Sequence, residues 1–434
     1  NLYPATITNA QNQSEQYLYD YSSGKITQKT DANSRIFKFA YDGLGRIIEE
    51  KQPDLENSSA LVTKTTYVYT DTPNSSSVKK SSYLDALNSV DGYVYFDGLG
   101  RKIQERAEAE GANFSVKDFI YNNLGQLQKE SLPYFSYGAS KTSFTGDSLL
   151  YTNYAYDALG RITAVLNSAG TTANNYNNWK TTAINANGKP KDLYYDAYGN
   201  LTQVDEHIAG GTYSTYYNYD YFGNVTKIID AKNNARNFAY DGLGRRILAE
   251  DLHLQTDATF GVWSYVFDQA GNLTSLTDPK NQTINYAYDS LNRGLTEDYM
   301  GQTGVEMAFT YDQGTDGLGR LTGIVSQNLS QTNTYNALGL LKTESKKINS
   351  KSYLTAYNYD IQGNLILTTN PDNSQVKNIY NSAGLLDGIQ KKEGSDANFA
   401  NVADNIDYSP AAKPAFISYA NGSAATNTYD AAKL

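Results

Sequence analysis

Tyr219-Asp220-Tyr221-Phe222-Gly223-Asn224-Val225-Thr226 is followed at once by Tyr240-Asp241-Gly242-Leu243-Gly244-Arg245-Arg246-Ile247, and the two stretches share one plan: Tyr-Asp, two variable residues, Gly, a polar residue, then β-formers. The plan recurs at Tyr41-Asp42 with Gly45, Tyr156-Asp157 with Gly160, Tyr195-Asp196 with Gly199, Phe267-Asp268 with Gly271 and Tyr359-Asp360 with Gly363. Weaker copies carry the marker aromatic at Tyr19, Tyr69, Phe96, Tyr121, Tyr288, Tyr311, Tyr335, Tyr380, Tyr408 and Tyr429, mostly at intervals of roughly 21 to 28 residues. Self-similarity at this period means one supersecondary unit repeated, each copy unable to bury its apolar face without its neighbours.

A second aromatic often stands two positions before the marker, as in Phe39/Tyr41, Tyr154/Tyr156, Tyr217/Tyr219 and Phe238/Tyr240. A period of two puts both rings on one face of a strand. The Asp that follows can accept backbone N–H groups ahead of it, and the Gly supplies a positive φ. Beyond the Gly comes a second β-rich run, so each unit reads as a β-hairpin. In that second run Leu201 and Val204, or Val225 and Ile228, stand three apart. Such spacing implies either a bulge or cover on both faces, and we take it as partial cover on both faces. The Asn, Asp and Gly residues that interrupt every dozen positions argue against helix.

The Tyr-Asp-x-x-Gly-Arg/Asn unit resembles the YD repeat of the RHS family, found in bacterial RHS toxins, the B and C components of Tc toxin complexes, wall-associated bacterial proteins and teneurins. The resemblance runs over nearly the whole chain. It implies an all-β fold in which tandem hairpins form a continuous spiralling antiparallel strip, part of a hollow shell; in the toxins the shell encloses a C-terminal toxic domain. It also implies a secreted or surface-exposed bacterial protein. Width alone points the same way: two strands per marker at ~4.8 Å give a ribbon about 160 Å wide, and open twisted sheets seldom exceed ~10 strands without curling. A propeller built on pairs of units and a straight β-solenoid are the alternative architectures.

Residues 1–434 are therefore expected to form one repeat array open at both ends, with insertions or degenerate repeats near 132–150 and 167–190. The aromatic run Leu132–Gly138 is read as packing on its own strip, and Asp71–Ser77 as a mobile turn. The chain starts without Met and ends at Tyr429-Asp430-Ala431-Ala432-Lys433-Leu434, where a new repeat has only begun, so it reads as a fragment of a longer polypeptide. No match to the closing core segment of RHS toxins is present, and Asp278-Pro279 lies in a connection.

Composition narrows the function. Lys and Arg number 36 against 46 Asp and Glu, a formal charge of −10 that repels nucleic-acid phosphates, and no run of apolar residues is long enough to span a membrane. The 39 tyrosines against 14 phenylalanines suit a face that stacks rings while keeping hydroxyls near water. No cysteine is present, which excludes a disulfide-stapled ectodomain. The two histidines, His207 and His253, lie in connections, the recurring carboxylates have a turn role, and no cofactor or metal is expected. Asn-x-Ser/Thr triplets such as Asn200-Leu201-Thr202 belong to the repeat and read as turn chemistry. Two functions remain: a non-catalytic wall shielding a cargo carried by the rest of its own chain, with secretion or delivery machinery as a further partner; or an adhesion protein displaying loops from the same strip.

Overall fold

The computed structural model describes residues 2–55, 57–72, 76–142 and 150–430. It is a single 38-stranded sheet in which every pairing is antiparallel. Strand order follows chain order, from Thr6–Thr8 to Ala424–Thr426, as a meander of hairpins. The only helical element among the described residues is the three-residue 3-10 turn Glu110–Ala112. Most marker tyrosines end one strand of a hairpin, as Tyr219 and Tyr240 do, and the polar residue after the Gly precedes the next strand.

The three-apart spacing has a cause other than the expected two-sided cover. Tyr194 pairs with Gln203 but Tyr195 pairs with Leu201, so Thr202 is an extra residue in the second strand. Tyr217 likewise pairs with Ile228, Asn218 with Lys227 and Tyr219 with Val225, leaving Thr226 extra. The bulge shifts the alternation by one, which puts Leu201 and Val204, or Val225 and Ile228, on the same face as the marker ring. The same one-residue shift recurs beside Tyr19, Tyr41, Phe96, Tyr121, Tyr156, Tyr240, Phe267, Tyr288, Tyr311, Tyr335, Tyr359 and Tyr380.

The bulge also explains why the marker is Tyr. The ladder from one repeat to the next starts at Gln203 and not at Leu201, which leaves the Leu201 carbonyl without a strand partner on that side. The Tyr219 hydroxyl donates to it at 2.7 Å. Tyr41 does the same to Ile26, Tyr69 to Ile47, Tyr240 to Val225, Tyr288 to Leu273, Tyr359 to Leu341, Tyr380 to Leu365 and Tyr408 to Leu386, at 2.6 to 3.0 Å. Burial pushes the Tyr219, Tyr359 and Tyr380 phenols up, so they stay protonated donors. The hydroxyls thus point into the sheet backbone, where the composition suggested contact with water. Two markers are Phe: before Phe96 the strand is paired along its full length, Ser76 opposite Phe96, and no carbonyl needs a hydroxyl, whereas before Phe267 the ladder starts at Leu248 and Arg246 has no strand partner on that side.

The strip forks twice. Asn113–Tyr121 pairs with Leu127–Ser131 over one half and Tyr134–Tyr137 over the other, and Asn234–Tyr240 divides likewise between Arg246–Glu250 and His253–Leu254. Residues 170–184 form an ordinary hairpin within the strip, and Tyr176 reaches the Ile162 carbonyl as a marker would.

Contacts between residues 279 to 309 apart show that the strip coils back on itself. Between Asn33 and Leu318, which touch, lie about 25 strands, a circumference of about 120 Å and a diameter of about 40 Å at ~4.8 Å per strand. The accessible surface is 25346 Å², whereas a compact monomer of this mass exposes about 16,000 Å². A wall wetted on both sides accounts for the excess, and few hydrophobic side chains are fully buried.

Replacing the Tyr359 hydroxyl by hydrogen orphans the Leu341 carbonyl, so Tyr359→Phe is expected to cost about 1–2 kcal/mol. Tyr195, whose hairpin is laddered through Tyr194 and Lys180, serves as control, and Tyr195→Phe should stay within about 0.5 kcal/mol. Denaturant unfolding measures both; equal costs would show that the carbonyl bond does not couple repeats.

Candidate functional site: the repeat turns and the seam between coils

Each repeat turn is a closed box. In Asp42–Arg46 the Gly45 N–H bonds the Asp42 carbonyl and the Asp42 N–H bonds the Arg46 carbonyl, a type I turn whose last residue is Gly45 at φ 75°. The Asp42 carboxylate accepts the N–H groups of Leu44 and Arg46 on one oxygen and the Arg46 Nε–H on the other, at 2.7 to 2.9 Å. Where Asn replaces Arg, its side-chain amide takes the same place, as Asn200 on Asp196, Asn224 on Asp220, Asn272 on Asp268 and Asn364 on Asp360. Gly160, Gly199, Gly223, Gly244, Gly271 and Gly363 all hold φ between 77° and 91°.

These bonds hold Asp42, Asp157, Asp196, Asp220, Asp241 and Asp268 below the usual carboxylate range. For Asp42, Asp157 and Asp241 the largest cause is the N–H of the Arg four residues on; for Asp196, Asp220 and Asp268 it is the Asn amide. The Arg has a second task that the repeat pattern alone did not show. Its guanidinium lies over the marker ring of the next repeat, Arg46 on Tyr69 at 4.2 Å, Arg161 on Tyr176 at 4.2 Å, Arg245 on Phe267 at 5.0 Å and Arg293 on Tyr311 at 4.3 Å. Cation–ring contact therefore largely replaces the expected ring-on-ring stacking.

The opposite edge of the strip carries the same box with Ser or Asn at the left-handed position: Asp31 with Ser34, Asp230 with Asn233, Asp278 with Asn281 and Asn370 with Asn373, at φ 61° to 64°. An Asp/Asn-x-x-Asn/Ser signal between the Tyr-Asp units was there to be read and was missed. Asp278-Pro279 is one of these turns.

The coils meet where repeat turns of the later part of the chain sit on these connections. Asn33 clasps the backbone of Leu318, donating to its carbonyl at 3.1 Å and accepting its N–H at 2.9 Å. Arg35 forks onto both oxygens of Asp316 at 2.5 and 2.9 Å, with both side chains largely buried. Gln52 donates to the Ile361 carbonyl, Gln362 to those of Lys64 and Tyr83, and Ser115 to that of Pro410. The Tyr311 turn is four residues longer than its fellows, Asp312 to Arg320, and the extra length carries Asp316 to Arg35.

The aromatic run Leu132–Gly138 lies on the strip. Arg106, nearly fully buried, donates to the carbonyls of Tyr137 and Gly138, and Tyr95 to that of Ala139. Residues 143–149 of the expected insertion, 73–75 of the expected mobile turn and 431–434 lie outside the described residues.

His207 is the residue nearest to a catalytic arrangement. Its Nδ1 is 3.1 Å from the Thr212 hydroxyl and its Nε2 is 3.0 Å from Asp192. Burial alone would raise Asp192, but bonds from Lys180, Thr182 and His207 outweigh it and hold the carboxyl at about 2. Thr212 is, however, the cross-strand partner of His207 in a regular ladder, so the backbone N–H groups around it are committed to pairing and make no oxyanion site. His253 stacks on Phe260 at 3.8 Å. Among the described residues no group of His, Asp or Glu has metal-binding geometry.

Comparison with known proteins places this geometry. Residues 19–54 match the RHS Repeat model and residues 174–316 the Teneurin YD-shell model. The strip superposes on TcdB2-TccC3 with a TM-score of 0.84 at 17% identity, over 99% of this chain and 26% of that one. Against TcdB2-TccC3 without its hypervariable C-terminal region, and against the Photorhabdus luminescens Tc holotoxin pore, the TM-score is 0.85 at 15% identity, over 99% of this chain and 28% of each of those. The chain thus spans about a quarter of the length of the solved chains it matches. No curated protein matches it in sequence. The fold is that of a YD-repeat shell, and residues 19–54 and 174–316 are similar to RHS and YD-shell repeats.

Around Gly199 an added Cβ would meet open space, so substitution there tests φ alone. Gly199→Val should cost at least ~1 kcal/mol, whereas Gly199→Asn should be milder, since Asn already fills the same conformation in the connection turns. Denaturation of both variants measures the difference, and equal effects would refute the turn's demand for positive φ.

Acid should loosen the whole array. Carboxyls held below their unfolded value contribute stability above that value, ~3.9 for Asp, and lose it as the pH falls through the folded value. Thermal stability is therefore expected to be flat near neutrality and to fall as the pH drops below about 4, with Asp192 at about 2 among the last groups to protonate. Stability that rises on acidification would overturn the assignment.

Proposed function

We propose that this chain is a wall segment of a container: its role is to enclose and shield a cargo carried by the rest of its own polypeptide, and it performs no chemistry itself. The observation that carries this reading is the excess surface of a coil about 40 Å across, which fits a wall around a lumen better than a packed core. Support also comes from the turns, where every repeated Asp, Arg, Asn and Gly is consumed in holding the strip together. One of the matched structures is TcdB2-TccC3 without its hypervariable C-terminal region, which agrees with a wall that is independent of what it holds.

On this reading a toxin domain is the cargo, the protein works outside the producing bacterium, and secretion or delivery machinery is its further partner. The described residues of 132–150, namely 132–142 and 150, and the segment 167–190 are variations of the strip and carry no separate function. The repeat turns Tyr41-Asp42-Gly45, Tyr195-Asp196-Gly199, Tyr240-Asp241-Gly244 and their fellows act as structural sites.

Protease challenge of the native polypeptide tests the reading. The domain that follows the strip should resist cleavage while the seam is intact and become sensitive in Arg35→Glu, which sets two carboxylates against each other at the seam. Equal cleavage of both would reject enclosure. Specific binding on a glycan panel would favour adhesion, and turnover of ester or glycoside substrates lost in His207→Ala would reject the non-catalytic role.

A further inference from the structure

A cavity of about 540 Å³ lies inside the seam, where the repeat turns at Asn381–Leu385 and Ser409–Ala412 sit over residues 107–115 of the earlier coil. Repeats of this one strip build both of its walls, and small residues in them open it. The third residue of the repeat turn is leucine at Leu44, Leu99, Leu291 and Leu318, but Ala383 stands there in the turn that roofs the cavity. The floor is equally slight: Ala107 and Ser115 face each other on neighbouring strands, with Ala109 and Gly111 beside them. Its volume is in the range of small-molecule sites, ~300–1,000 Å³.

The charges around this space are all of one sign. Glu108 and Glu110 line it from the earlier coil and Asp407 from the later one, and no Lys, Arg or His lines it. Elsewhere in the seam a cation meets the carboxylate of the opposite coil, as Arg35 does Asp316. Here carboxylates stand on both sides, and among the described residues no cation pairs with them. Burial pushes the Glu110 carboxyl up, and the charges of Asp387 and Asp407 add to the effect. A positive group placed among them would relieve that repulsion.

The size of that positive group follows from the rest of the lining. Among the described residues no three carboxylates or imidazoles gather closely enough to hold a metal ion. Val90, Leu385 and Tyr408 present carbon to the same space. An apolar body with a charged end fits both kinds of surface at once.

We infer that the cavity binds a small organic cation, an alkylammonium or alkylguanidinium whose charged end lies between Glu110 and Asp407 and whose carbon chain lies against Leu385 and Val90. The ligand joins one coil to the other, in the part that Arg35 plays from within the chain. The site holds whether or not the strip encloses a cargo.

Isothermal titration of the native polypeptide with agmatine tests the inference, with 1,4-butanediol as an uncharged counterpart. Agmatine should bind saturably in the micromolar to millimolar range, and the diol should not. Glu110→Gln/Asp407→Asn should weaken agmatine at least tenfold. These substitutions keep side-chain shape and remove like charges from the seam, so the melting temperature of the variant should not fall, which separates lost binding from lost folding. Ala383→Leu, which restores the side chain of the other turns, should also abolish binding with an unchanged circular dichroism spectrum. No saturable binding up to about 10 mM, equal binding of the diol, or unchanged affinity in the charge variant would each overturn the proposal. So would displacement of agmatine by an equal concentration of calcium chloride, or tighter binding of acetyl-Gly-Arg-Gly amide, which would assign the site to a metal ion or to a partner's arginine.

Discussion

A backbone carbonyl stranded at a bulge is the constraint on which this architecture turns. Most marker hairpins gain one residue after their Gly, and that residue rotates the following alternation so that the apolar side chains of both strands meet the marker ring on one face. The same bulge delays the ladder to the next hairpin and leaves the carbonyl of the preceding residue facing it without a partner. A half-buried carbonyl left unpaired costs about 1–3 kcal/mol, enough to matter once per repeat in a structure with so little core. The Tyr of the next repeat removes that cost and in doing so ties neighbouring hairpins together. Bulge, bond and tyrosine form one device, which is why tyrosine outnumbers phenylalanine so heavily in the sequence.

Arginine completes the coupling from the turn side. Its Nε–H closes the carboxylate box of its own repeat, and its guanidinium plane then lies over the ring of the next. Phe267 shows the two couplings are separable: it has no hydroxyl to offer, yet Arg245 still covers it at 5.0 Å. A planar, always charged group with several fixed donors suits both tasks at once, which a lysine would not. Where Asn stands in place of Arg, as at Asn200 and Asn224, the box is kept and the ring contact is lost, so coupling strength varies along the strip. In an array whose stability is a sum over neighbours, those junctions are the places where it opens first.

The repeat, the hairpin and the need for a strip this wide to curl were legible in the sequence, because each rests on local chemistry: alternation before the marker, an Asp that accepts N–H groups ahead of it, a Gly at positive φ. The second set of turns was equally local, yet Asp31 with Ser34 and Asp230 with Asn233 lack a Gly and so lacked the cue that draws attention to a turn. The bulge was visible only as a spacing of three between Leu201 and Val204, which two-sided cover explains as well; register decides between them, and register is a property of paired strands. The roles of Arg35, Asn33, Gln52 and Gln362 were not legible at all. Their partners lie 279 to 309 residues away, and no periodicity within a repeat encodes the circumference of the coil.

The pentapeptide Asp-Gly-Leu-Gly-Arg, which stands at 316–320 with Leu318 held by Asn33 and at 42–46, 97–101 and 241–245 with its leucine exposed, makes the same point physically. Asp-Gly-Leu-Gly-Arg folds to one turn wherever it stands, since its box is closed by its own atoms. Whether its leucine is covered depends on how far around the coil it lies. Hairpin-to-hairpin coupling is therefore built from ladder bonds, tyrosine hydroxyls and guanidinium stacking at every step, while coil-to-coil coupling rests on a few side chains such as Arg35 and Gln362. Two scales of cohesion in one ribbon mean that the seam can part without unravelling the strip.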